Sequence, residues 1–101
     1  MLKRHVKTNV HPGRILKMEV MEPNKITVGR MAELLQVSRL TISKIVNEKG
    51  GITPNIALRL EKVFGGNADF WLRLQRVYDL LVAKSELENN PLVLSPFEMA
   101  P

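Results

Sequence analysis

Apolar residues along the chain recur at helical rather than strand spacing. In HPGRILKMEVME (residues 11–22) they fall at Ile15, Leu16, Met18 and Val20, behind Pro12, a residue suited to a first helical turn. The pattern predicts a helix over 12–22, closed by Pro23 and Asn24. Thr27 offers a capping hydroxyl to a second helix through VGRMAELLQ, where Val28, Met31, Ala32, Leu34 and Leu35 keep the period. Ser38 does the same for a third, from Arg39 to about Glu48, ahead of Gly50 and Gly51. Thr53 followed by Pro54 opens a fourth, PNIALRLEKVF, ended by Gly65 and Gly66. Asn67 caps the fifth and longest, in which Phe70, Trp71, Leu74, Val77, Tyr78 and Leu81 form one apolar stripe that fades near residues 88–90. Only residues 92–94, LVL, have a strand's pattern. The reading is an all-α protein with a basic arm over 1–10, a helical domain over 11–88 and a short tail over 89–101.

Helices two and three are joined by a few residues around Gln36, Val37 and Ser38, so they must cross steeply. Ala32 is small enough to let the third helix approach, and Ile42 faces back toward it. This is the arrangement of a helix-turn-helix over about 28–47, whose second helix enters a DNA major groove. On a helical wheel Ile42, Ile45 and Val46 share one side. The opposite side carries Leu40, Ser43, Lys44 and Asn47, flanked by Arg39 and Thr41. Arginine can pair with guanine, serine and threonine with several base edges, and leucine with a thymine methyl. Lys44, Asn47 and Lys49 can reach phosphates. A merely solvated helix face contains the same polar types. Exposed Leu40 and the lack of any acidic residue over 39–47 favour DNA.

Charge supports that direction. The net charge of +5 is uneven: residues 1–60 hold 11 Lys/Arg against 4 Asp/Glu, and residues 61–101 hold 4 against 6. A basic front half suits a polyanion, and an acidic back half suits protein contacts. The chain of 101 residues is the size of one domain, has no cysteine and only two histidines, His5 and His11. Thiolate metal sites and a cysteine nucleophile are thereby excluded. No apolar run reaches the roughly 20 residues of a membrane span, and the start lacks a signal-peptide core. These features point to a cytoplasmic protein. Neither histidine sits in a catalytic motif, and no glycine spacing matches a phosphate loop. The reading is a non-enzyme without metal or cofactor.

HPGRIL, LLQVSRLTISKIVNEKGGIT and ALRLEKVFGGNADFWLRLQRVYDL resemble the HigA (VapI-like) antitoxins of bacterial toxin–antitoxin modules, a branch of the Xre/Cro-type helix-turn-helix regulators. The resemblance covers about residues 11–82. It implies a five-helix, lambda-repressor-like fold with a long C-terminal helix. It also implies a homodimer that binds double-stranded operator DNA, represses its own operon and neutralises a RelE-like (HigB-type) ribonuclease toxin. The family's base-reading positions fall on Arg39, Leu40, Thr41, Ser43 and Lys44, and backbone contacts on Ser38, Asn47 and Lys49. Relatives commonly carry glycine where this chain has Gln36, so a non-glycine residue is expected at a left-handed position. They often carry a small polar residue where Leu40 stands.

Phe70, Trp71, Leu74 and Tyr78 are read as core or dimer-interface residues, and the fifth helix, helped by the tail, as the twofold contact. Lys3, Arg4, Lys7, Arg14 and Lys17 form a cationic arm that either follows phosphates or is simply solvated. His11 opens the first helix. Two alternatives stand beside the antitoxin: a stand-alone Xre-type regulator, and a protein-interaction antidote that does not read DNA.

Overall fold

The computed structural model describes residues 9–101, so Lys3, Arg4, His5 and Lys7 lie outside the described residues. Five helices follow one another: α1 (Pro12–Ile15, continuing into a π-helical stretch Leu16–Met21), α2 (Val28–Leu35), α3 (Arg39–Val46), α4 (Pro54–Phe64) and α5 (Ala68–Asn89). The architecture is all-α, with no strand among the described residues, and residues 92–94 carry no regular structure.

The expected caps form. Thr27 accepts from the Arg30 amide at 3.1 Å, Ser38 from Thr41 at 3.1 Å, Thr53 from Ile56 at 3.3 Å, and Asn67 from Asp69 at 2.7 Å. Each satisfies an amide that the first helical turn leaves without a partner. Glu61 adds a second cap to α5 by accepting from the Ala68 amide at 3.0 Å.

The first helix spans the expected stretch but winds differently. Glu22 N–H reaches five residues back to the Lys17 carbonyl at 2.8 Å. Leu16 and Met21, five apart, would diverge by roughly 140° on an α-helix. The wider π turn brings both inward, and both are buried.

The two glycines that follow α3 do not supply its left-handed closure. The left-handed residue that closes α3 is Glu48 (φ 61°), not Gly50 or Gly51. Glu48 N–H bonds the Ile45 carbonyl at 3.1 Å and Lys49 N–H the Lys44 carbonyl at 2.7 Å, the double closure of a Schellman turn. Gly65, at φ 84° and ψ −167°, does occupy backbone that only glycine tolerates well.

The core joins Leu16 and Met21 of α1, Met31, Ala32 and Leu35 of α2, Ile42 and Ile45 of α3, Ile56, Ala57 and Leu60 of α4, and Trp71 of α5. Each large aliphatic side chain removed from water there contributes about 1.5–3 kcal/mol. α1 and α2 thus pack against the apolar side of α3 and leave its other side outward. The α5 stripe divides. Trp71 is buried and Leu74 packs on the core, whereas Phe70, Val77 and Leu81 are exposed.

Candidate nucleic-acid interface

The turn between α2 and α3 is a second Schellman closure. Gln36 N–H bonds the Glu33 carbonyl at 3.2 Å and Val37 N–H the Ala32 carbonyl at 3.0 Å. Gln36 itself takes the left-handed conformation, φ 56° and ψ 49°, as the resemblance implied. Ser38 then caps α3, and its hydroxyl also pairs with that of Thr41 at 2.8 Å. Chain reversal, cap and helix start are completed within a few residues.

Along α3 the apolar and polar sides separate as the wheel predicts. Ile42 and Ile45 are buried and Val46 packs on the core. Arg39, Leu40, Lys44, Asn47 and Lys49 are exposed, while Thr41 and Ser43 are half-buried at the margin. Leu40 leaves 62% of its surface in water, a high exposure for a leucine amid cationic and hydroxyl neighbours. Four of the expected contact residues, Ser38, Thr41, Ser43 and Asn47, are partly engaged with one another. Thr41 shares its hydroxyl with Ser38, and Asn47 turns its amide nitrogen back to the Ser43 carbonyl at 2.8 Å and hydroxyl at 3.2 Å.

Several residues that sequence reasoning passed over hold this face in place. Arg59 on α4 reaches the carbonyls that end α2. Its Nη1 donates to Leu35 at 2.7 Å and to Gln36 at 3.1 Å, and its Nε to Asn55 Oδ1 at 2.6 Å. A guanidinium suits a helix C-terminus, where carbonyls and the helix dipole are both negative. Gln75 on α5 accepts from the Ile52 amide at 2.7 Å and donates to Asp79 at 3.0 Å, tying the loop after α3 to the longest helix. Gly13 lies against the end of α3 so closely that any Cβ would overlap the Ile45 carbonyl. All three lie within the quoted stretches HPGRIL and ALRLEKVFGGNADFWLRLQRVYDL, but nothing local marks them as contacts.

His11 is buried and caps α1, its Nδ1 accepting from Gly13 N–H at 2.9 Å. Its ring stands edge-on to Tyr78, centroids 4.7 Å apart. A histidine whose Nδ1 is used this way serves structure. Among the described residues there is no cluster of acidic and histidine side chains suited to a metal. No described helix is long and apolar enough to cross a membrane.

Two capped helices joined by a left-handed turn, the second showing an acid-free, cationic outer face, define a helix-turn-helix of the DNA-reading kind. Residues 8–71 match the helix-turn-helix family model. The virulence-associated protein I of Dichelobacter nodosus is 39% identical over 85 residues, covering 84% of this chain and 79% of that protein. The structure of Pseudomonas aeruginosa antitoxin HigA with the higBA promoter superposes with a TM-score of 0.82 at 33% identity, covering 90% of this chain and 100% of that one. Antitoxin GraA in complex with its operator gives 0.80 at 29% identity, over 92% and 94%. The chain belongs to the helix-turn-helix family, in the branch that contains HigA and VapI.

Proposed function

We propose that this chain is a sequence-specific DNA-binding antitoxin that represses its own operon and neutralises a RelE-like ribonuclease toxin. The exposed outer face of α3 carries the reading. Arg39, Leu40, Thr41, Ser43 and Lys44 address base edges, and Ser38, Asn47 and Lys49 address phosphates. Relatives bound to a promoter and to an operator support it.

Reading an inverted repeat requires two heads about one helical turn apart, hence a twofold dimer. The stripe Phe70, Leu74, Val77 and Leu81 supports α5 as that contact, because its 4-3-4 spacing is that of a coiled-coil seam. Three of the four are exposed in the single chain. The tail brings Leu92, Val93, Leu94, Phe97 and Met99, all exposed, to the end of the same helix. A second subunit would cover both. Toxin binding rests on kinship with the antitoxin branch.

The deciding experiment is a gel shift and footprint on the DNA upstream of the reading frame, repeated across salt, with and without the product of the neighbouring frame. A protected inverted repeat, and co-purification with a ribonuclease whose activity it abolishes, are the expected results. Binding that ignores sequence favours an antidote that does not read DNA. Operator binding without a toxic neighbour favours a stand-alone regulator.

A further inference from the structure

Gly29 stands inside α2, one residue past its start, in backbone that is not left-handed. Conformation therefore gives no reason for glycine there, and glycine is the poorest helix former after proline. What it provides is room. A Cβ on Gly29 would lie 2.7 Å from Arg39 Nη2, 3.1 Å from Nε and 3.2 Å from Cζ. The guanidinium at the head of α3 therefore rests across the first turn of α2.

Electrostatics do not hold it there, since the N-terminal end of a helix is the positive one. Among the described residues no carboxylate pairs with Arg39, and its neighbour Arg30 is bound to Glu33 at 3.3 Å. The pose is a matter of shape. A planar head lies over a bare Cα, a pose that a side chain at position 29 would not permit. A pose preset in this way would lower the entropy lost when a DNA contact forms.

We propose that Gly29 is a positioning residue for DNA binding, which acts by leaving Arg39 the space in which its guanidinium is preset for the operator. The inference rests on the DNA-reading function above and adds a residue outside α3 to it.

Gly29→Ala is the test, with Gly29→Ser as a second variant. Only the far end of a flexible side chain has to move, so the fold survives. Thermal unfolding should then be unchanged or shifted upward, because alanine is the better helix former. Binding to a duplex carrying the upstream region, read by fluorescence anisotropy, should weaken on the order of tenfold. Combined with Arg39→Ala, Gly29→Ala should weaken binding no further, since it acts through that side chain. Wild-type affinity in both variants overturns the proposal, as does an equal loss with and without Arg39. Wild-type protein that does not distinguish this duplex from a scrambled one overturns the DNA reading itself.

Discussion

Arg59 holds the end of α2 from α4, its Nη1 donating to the Leu35 carbonyl at 2.7 Å and the Gln36 carbonyl at 3.1 Å. The turn that aims the reading helix is thus clamped from outside the motif. Removing the guanidinium leaves those carbonyls without their charged donor. Arg59→Ala should lower unfolding stability by about 1–3 kcal/mol, the range for hydrogen bonds to charged groups and the cost of unmade ones. Denaturant titration measures it. Arg59→Lys should recover only part, because one ammonium cannot reproduce the fork to Asn55 and both carbonyls.

Gln36 sits in left-handed backbone at φ 56°. Gln36→Gly removes the steric penalty of its Cβ, at some entropic cost in the unfolded chain. A net stabilisation of about 0.5–1 kcal/mol is expected, read as a raised unfolding midpoint. A lower midpoint would mean that the glutamine side chain contributes more to the turn than the strain removes.

Gly13 allows α1 to touch the carbonyl of Ile45. A methyl group there meets backbone, which cannot swing aside as a side chain can. Gly13→Ala should cost about 1–3 kcal/mol by overpacking. Because the displaced element backs α3, operator binding should weaken as well. A variant with wild-type melting behaviour would contradict this contact.

Leu40 and Lys49 divide the interface by role. Leu40→Ala should alter stability by no more than about 0.5 kcal/mol, because the side chain is exposed. Its effect should appear as changed preference among operator variants. Lys49→Ala should weaken operator and unrelated DNA alike, and lower the slope of log affinity against log salt by about 0.9. Competition binding at several salt concentrations separates the two patterns.

Val77 lies in the exposed part of the α5 stripe, with 51% of its surface in water. Val77→Glu should leave the folded monomer intact and prevent burial of that seam in a dimer. Sedimentation at micromolar concentration should show a shift from dimer to monomer. Wild-type protein already monomeric under these conditions would remove α5 as the twofold contact.

Helix order, the four side-chain caps and the outward face of α3 could be read from the chain because their causes are local. A cap such as Ser38 to Thr41 spans three residues, and the period of Ile42, Ile45 and Val46 follows from helix geometry alone. The left-handed Gln36 was expected only through the resemblance, whose members commonly carry glycine there, and the Schellman turn supplies the physical reason. The α3 closure was not legible in this way: two glycines stand just beyond the helix, yet the left-handed residue is Glu48.

What the sequence by itself determined is the set of helices and the chemistry of the face that α3 offers. Tertiary structure decided the rest: the π winding that turns Leu16 and Met21 inward, the clamp of Arg59 on α2, and the tie of Gln75 to Ile52. It also decided which part of the α5 stripe is buried as Trp71 and which stays exposed as Phe70, Val77 and Leu81. Each depends on partners about twenty residues or more away, or on which neighbouring helix occupies the space. Local period and capping chemistry carry no information about such distant neighbours, so these contacts become visible only once the helices are packed.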